Sequence, residues 1–254
     1  MNCFEDLRQY LQLDKSQRYD FLAERLGSQV EEISIETQGR TDKHLLLNLQ
    51  GEQEDNLWFS AHYDVFGEAL GATDNSAAVL SLLHAVKDYR RNTKRPQSVT
   101  AVFFDAEEDG YKASGVKKDW QQGSDAFVKQ LRSSQLFDGF SSLINFEVLS
   151  KGPFETYLTS TKDRIVNDEK LTKYVNSTLD QLGIVYNTVE ESPRSDHVNF
   201  LLQGLPATVL ARRDKKSWAH LHTVKDDIST VDGSCLEENI KVMVELMRNM
   251  RREL

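Results

Sequence analysis

Apolar residues recur at helical spacing at the start of the chain: Phe4, Leu7 and Leu11, then Phe21, Leu22 and Leu26, with Gly27 as a stop. The spacing predicts a helical segment over about 3–27. Ile33 to Thr37 alternates like a strand, and His44 to Leu49 reads as a second. Gly51 to Asn56 is a polar turn. Leu57 to His62 is then a run expected of a buried strand. A glycine-punctuated loop, 66–73, leads to Asp74-Asn75-Ser76, three residues suited to capping a helix. Ala77 to Arg91 follows, with Val79, Leu82, Leu83 and Val86 on one face and basic residues at its end. Beyond Pro96, Val99 to Phe104 is the clearest buried strand, and it runs directly into Asp105-Ala106-Glu107-Glu108. Residues 109–124 read as polar and irregular. The remaining pattern predicts a helix at Ala126–Leu131, strands at Ser142–Val148 and Thr156–Thr161, and an amphipathic helix at Asp168–Leu182 closed by Gly183. A short helix at Asp196–Leu202, a strand at Ala207–Ala211 and a terminal helix over 234–254 complete it.

Strands alternating with helices imply an α/β layered sandwich, in which ligands sit beyond the carboxyl ends of strands. Polar groups occur at those ends here: His62, the Glu107-Glu108 pair, and Glu147 inside an otherwise apolar strand. With 254 residues and no internal repeat or evident linker, a single domain, 1–254, is expected. Lys and Arg number 31 against 40 Asp and Glu, a net charge of −9 that argues against a nucleic-acid partner. Two cysteines, Cys3 and Cys235, outline no disulfide framework. The start has no signal-peptide pattern, and no segment is apolar enough to span a membrane. A cytoplasmic location without a membrane partner is the resulting expectation. Nothing in the sequence indicates the oligomeric state.

The strand-end groups suggest metal chemistry. Imidazole is a common zinc ligand, and Asp64, two residues after His62, can accept from its second ring nitrogen. Asp74, taken alone, reads as a helix cap, but its carboxylate can also bridge two metals. Two adjacent glutamates after an apolar strand are unfavourable unless something positive meets them. One can bind a metal while the other takes a proton from water and passes it to a leaving amine. Asp196 opens a short apolar helix, where capping is the simpler reading. If the chain around 218–226 is extended, His220 and His222 share a face, and either could be a ligand. Mixed carboxylate and imidazole donors suit catalytic zinc, with Mn²⁺ or Co²⁺ as substitutes. There is no phosphate-binding glycine loop, G-x-S-x-G elbow or H-E-x-x-H motif.

From residue 44 onward, the order of landmarks resembles the zinc aminopeptidase family that also includes glutaminyl cyclases. They are His62-Tyr63-Asp64, Gly71-Ala72-Thr73-Asp74-Asn75, Phe104-Asp105-Ala106-Glu107-Glu108, Ile144-Asn145-Phe146-Glu147, Ser195-Asp196-His197 and His222-Thr223 with Asp226. The resemblance implies a zinc-exopeptidase-like three-layer sandwich, with a mixed, mostly parallel twisted sheet between helices. It implies one zinc on His62, Asp74 and Glu147, and a second on Asp74, Glu108 and His222, so that two ions are expected and one is the alternative. It makes Glu107 the general base and Asp64, Asp196 and Asp226 supporting acids. His222 is chosen over His220 by its following Thr223 and acid.

Two positions depart from the family pattern: Glu147 stands where aspartate is typical, and Ala77-Ala78 where aminopeptidases often have glycine. An aminopeptidase acting on peptides or amino-acid derivatives is the preferred expectation. A mono-zinc, pyroglutamate-forming glutaminyl cyclase is the alternative: Phe103-Phe104-Asp105-Ala106-Glu107-Glu108 and Gly71-Ala72-Thr73-Asp74 resemble its versions of the motifs, as does the insertion between Glu108 and Gly123-Ser124. Leu221 stands against it, where cyclases carry tryptophan; Trp120 and Trp218 could line the pocket instead. A non-catalytic binding domain ranks last, because neither a ligand nor the base is missing.

Overall fold

The computed structural model describes residues 2–37, 39–53, 55–108, 120–160, 165–192 and 194–249. The expectations for residues 109–119, Thr161 and 250–254 lie outside the described residues. The N-terminal helical segment is two helices, not one: α1 (Cys3–Tyr10) and α2 (Lys15–Leu26). The break falls at Asp14, whose carboxylate accepts from the Gln17 backbone N–H while the Gln17 side chain accepts from the Asp14 N–H. This reciprocal cap starts a new helix where hydrophobic spacing alone suggested continuation. Gly27 ends α2 at φ 82°.

The strands are β1 (Val30–Thr37), β2 (Arg40–Leu49), β3 (Asn56–His62), β4 (Ser98–Phe104), β5 (Phe140–Glu147), β6 (Phe154–Ser160), β7 (Ile165–Val166), β8 (Tyr186–Ser192) and β9 (Ala207–Arg212). They form one sheet in the order β1-β2-β4-β3-β5-β9-β6-β7, with β8 on β6. The four central strands β4, β3, β5 and β9 run parallel, and antiparallel pairs flank them on both sides. The remaining helices are α3 (Ala77–Arg90), α4 (Gln122–Leu131), α5 (Glu169–Gln181), α6 (His197–Leu202), α7 (Lys215–Trp218) and α8 (Gly233–Asn249).

Every residue of β3 and β4 is buried, which is why both read as continuous runs rather than alternating ones. Their side chains still alternate between two cores. Leu57, Phe59, Ala61, Val99, Ala101 and Phe103 join the core shared with α1, α2, α3, α5 and α8. Trp58, Val102 and Phe104 join the opposite core with Phe127 of α4 and Phe200 of α6. The result is helices on both faces of a mixed sheet, the expected α/β sandwich. The edge strand β8 was not foreseen. Its sequence, Tyr186 to Ser192, is mostly polar and exposed, so it carries no hydrophobic alternation. Helix α4 begins four residues before the apolar pattern does, and the stretch around 218–226 is a series of turns after α7, not an extended strand.

The N-terminal helices also reach the loops that follow β3 and β4. The buried Arg18 guanidinium donates to the Leu70 carbonyl at 2.7 Å, and the Lys15 ammonium lies 2.8 Å from Asp105. Gly123 marks a close approach. A Cβ there would come within 1.8 Å of the Asp105 carbonyl oxygen, so only glycine lets the start of α4 pack on the 105–108 loop.

Candidate metal-binding active site

The carboxyl ends of β4, β3 and β5 lie side by side, and His62 pairs in register with Phe104. In β3, Ser60 and His62 point to the α4–α6 face, and Asn145 and Glu147 do the same in β5, two residues apart in each strand. These polar positions are linked. Ser60 Oγ donates to Asn145 Oδ1 at 2.7 Å, Asn145 Nδ2 donates to Ser195 Oγ at 2.8 Å, and Ser195 Oγ donates to Glu147 Oε2 at 2.6 Å. Asn75 Nδ2 also faces Glu147 Oε2 at 3.4 Å. One oxygen of Glu147 is therefore held, and the other, Oε1, is left 3.4 Å from His62 Nε2.

Asp74 sits between two groups of donors. Its Oδ1 is 3.1 Å from His62 Nε2, on the Glu147 side, and its Oδ2 is 3.2 Å from His222 Nε2. His222 Nε2 lies 3.1 Å from Glu108 Oε1. Ligand atoms of His62, Asp74 and Glu108 all lie within 4.8 Å of one another. Asp74 does not cap α3: the N-cap residue is Ser76, and it makes no side-chain capping bond. The Asp74 backbone is pinned instead by Asp226, whose carboxylate accepts from Thr73 N at 2.7 Å and Asp74 N at 3.1 Å.

Asp64 performs the matching task on the other side. Its carboxylate accepts from Glu107 N at 3.1 Å and Glu108 N at 2.8 Å, and Oδ1 stands 3.5 Å from His62 Nδ1. The Glu107 side chain is not part of the imidazole pairs. Its Oε1 accepts from Gln121 Nε2 at 2.7 Å. Among the described residues, the non-glycine residues with left-handed backbone are Ala106, Gln121, Val148 and His222, at φ 51° to 61°. Each adjoins or belongs to this cluster. Such conformations cost about 1–3 kcal/mol each and persist where surrounding contacts fix them.

The electrostatics show a site short of positive charge. Burial, together with Glu108, Asp196 and Glu147 and against the opposing pull of His62, holds the Glu107 carboxyl well above its usual range. Burial and Asp74 push Glu108 up to about 8. Burial also raises Glu147, and it raises the fully buried Asp196 to about 7. Burial would lower His62, but Glu147, Asp64 and Asp74 outweigh it and hold the ring well above its ordinary value. Asp74 and Glu108 raise His222 to about 10. Four buried carboxylates facing two imidazoles is the donor chemistry of a divalent-cation site, and Glu108 Oε2 has no hydrogen-bond partner among the described residues.

The cluster forms the floor of a cavity of about 260 Å³ with walls of Val148, Trp218, Leu221 and Trp120, and Arg194 at its rim. Trp120 and Phe66 both stack on the His222 ring, at centroid distances of 5.3 Å and 4.7 Å. Thus His62, Asp74, Glu107, Glu108, Glu147 and His222 are brought together, with Asp64 and Asp226 directly behind. His220 takes no part in the ion pairs of these carboxylates. Asp196 lies buried at the start of α6 without a capping bond, and it is Ser195, one residue earlier, that contacts Glu147. The sequence carries no signal for Gln121, places Ser195 only within a family landmark, and suggests Asn75 as a helix cap, whereas Asn75 and Ser195 here contact Glu147. Ser60 and Asn145 did carry a signal, as polar residues on the His62 and Glu147 faces of apolar strands.

Residues 44–247 match the model of peptidase family M28. The chain belongs to peptidase family M28. The M28 chain is 35% identical over 111 residues to a vacuolar membrane protease of Schizophyllum commune, covering 43% of this chain and 11% of that protein. It therefore spans about a tenth of that relative's length. Among solved structures, a Porphyromonas gingivalis glutaminyl cyclase overlays with a TM-score of 0.81 at 17% identity, covering 97% of this chain and 96% of the other. A zinc-dependent exopeptidase of Parabacteroides distasonis overlays with a TM-score of 0.77 at 16% identity, covering 98% and 97%. At these identities the likeness is one of fold, and it agrees with the mixed, helix-flanked sheet.

Proposed function

We propose that this M28 chain is a zinc-dependent aminopeptidase with two metal positions sharing Asp74. The observation that carries the reading is the division of the Asp74 carboxylate. One oxygen faces His62 and Glu147, and the other faces His222 and Glu108. His62, Asp74 and Glu147 would hold one ion, and Asp74, Glu108 and His222 the other. Zinc held there supplies Lewis-acid polarisation of the scissile carbonyl. The extra methylene of Glu147 does not remove its carboxylate from the cluster, because Ser195 and Asn75 hold one oxygen and leave the other toward His62.

Glu107 is the proton carrier in this reading. It takes a proton from the attacking water and delivers it to the departing amine. A buried carboxyl with a raised pKa, crowded by other acids, suits that transfer. Gln121 fixes the Glu107 carboxylate through its amide N–H. The acidic floor attracts a substrate ammonium group, and Trp218, Leu221 and Val148 offer an apolar wall. A second reading, a mono-zinc glutaminyl cyclase, is favoured by one observation: Trp120 and Trp218 both line the cavity, compensating for Leu221. There the substrate's own amine attacks its γ-amide, and Glu107 carries the proton to ammonia.

Zinc per chain, measured on the same preparation as turnover of aminoacyl amides and of an N-terminal glutaminyl peptide, separates the two. About two zinc ions with release of N-terminal residues supports the aminopeptidase. One zinc with pyroglutamate and ammonia as products overturns it in favour of the cyclase.

A further inference from the structure

A second cavity, of about 530 Å³, adjoins the first: Trp120 and Arg194 line both. The first cavity ends in Asp74, Glu107, Glu108 and Glu147, so its floor is strongly acidic. Arg194 is exposed at the boundary, and it makes no ion pair, hydrogen bond or ring contact among the described residues. The second cavity contains one other cation, Lys129, and its ammonium is already 2.7 Å from the Asp125 carboxylate. The second cavity is also lined by the acids Glu36 and Asp125, and Arg194, at the boundary of the two cavities, is the lining cation that pairs with neither among the described residues.

A peptide whose amino end lies at the metal cluster carries the portion beyond its scissile bond past Trp120 to Arg194, which lines both cavities. A guanidinium presents a planar fork that matches a carboxylate with two parallel N–H···O bonds. We propose that Arg194 reads a carboxylate on the leaving portion of the substrate, so that the enzyme favours short or acidic peptides over neutral ones. This rests on the aminopeptidase reading of the adjacent site. In the reaction the amide C–N bond breaks, the water oxygen bonds to the carbonyl carbon, and the released amine, now protonated, carries the carboxylate held by Arg194. Two sources share this chemistry: the free C-terminus of a dipeptide, and an acidic side chain of a longer peptide continuing into the second cavity.

The test is calorimetric binding to the zinc-loaded Glu107→Gln protein, with and without Arg194→Gln, alongside turnover by the parent protein. Three ligands are compared: leucyl-alanine, leucyl-alaninamide, and a leucyl-aspartyl peptide with its C-terminus amidated. Tighter binding of one or both carboxylate ligands than of the neutral amide, by about tenfold, is expected, with the ratio falling toward one in Arg194→Gln. Preference for leucyl-alanine alone identifies the C-terminus as the source, and preference for the aspartyl peptide alone identifies the side chain. Equal binding of all three, or a preference that survives Arg194→Gln, overturns the proposal. Turnover of leucyl p-nitroanilide, which has no carboxylate, tests the aminopeptidase reading separately. If it and the peptides are not cleaved, that reading fails while the binding ratio still decides the role of Arg194.

Discussion

Asp64→Asn is a demanding test, because a single carboxylate holds three parts of the site at once. Asp64 is 1% exposed and accepts from the backbone N–H groups of Glu107 and Glu108. Asparagine keeps the shape but offers only one acceptor oxygen. Whichever way the amide turns, its NH₂ faces one of the two backbone donors. One buried N–H is then left without an acceptor, at about 1–3 kcal/mol, and the surviving bond falls from charge-assisted to neutral strength, about another 1 kcal/mol. Part of this is offset, because the Asp64 charge contributes to raising the pKa of Asp105 and Asp196, and that repulsion is relieved. A net loss of about 1–3 kcal/mol is expected. For a chain of this size that is a fall in melting temperature of roughly 2–12 °C. Turnover should fall about 10- to 100-fold, because the Glu107-Glu108 backbone loses its support and His62 loses the nearby carboxylate charge, although its Nδ1 keeps the residue-64 carbonyl oxygen at 3.2 Å. The assay is calorimetric melting of the chelator-treated protein, with kcat/KM measured after zinc is restored. Glu107→Gln is the control for an isosteric amide: it replaces a neighbouring buried carboxyl without orphaning a backbone donor, and its Oε1 can still accept from Gln121, so it should melt at or above the parent. An Asp64→Asn protein that melts within about 1 °C of the parent would refute the reasoning.

Further expectations follow from the same geometry. Glu107→Gln should retain zinc, measured per chain, yet lose about 10²- to 10⁴-fold in kcat; full activity would remove Glu107 as proton carrier. His222→Ala should weaken zinc binding in a competitive chelator titration more than His220→Ala, since only His222 touches Asp74 and Glu108. The opposite order would mean that the wrong histidine has been assigned. Acid stability should reflect His44 and His197, both pushed by burial from 6.5 down to about 3. Between those values the unfolded chain binds a proton at each ring and the native protein does not, so these two rings lower stability as pH falls through the window, while the raised carboxyls of Asp105, Glu108 and Asp196 act in the opposite sense. The slope is up to about 1.4 kcal/mol per pH unit for each ring. His44→Asn, whose Oδ1 can replace the ring Nδ1 that accepts from Asp105 N, should flatten the slope by one ring's share. Urea melts between about pH 4 and pH 7 give the slope, and an unchanged slope would show that native His44 takes up the proton.

Much of this molecule was legible because burial and periodicity are local signals. The apolar runs at 57–62 and 99–104 could only be strands covered on both faces, and the helix after Ser76 announced its buried side by spacing. The polar residues ending those runs marked the site, since a carboxylate or imidazole placed there needs a partner. Elements without such a signal went unseen. β8 buries too little to alternate, and the break between α1 and α2 depends on the Asp14–Gln17 cap rather than on hydrophobicity.

The sequence by itself determined the α/β class, the order of the elements and the set of residues with ligand chemistry, because each depends on residue type and near neighbours. Which of those residues meet was decided only by the tertiary structure. The parallel register of β4, β3 and β5 brings three strand ends together, and the turns after α7 carry His222, not His220, to Asp74. Gln121 beside Glu107, Ser195 beside Glu147 and Arg194 between two cavities are distant in the chain from the groups they serve. No pattern of spacing could join them, because their meeting depends on how the layers pack.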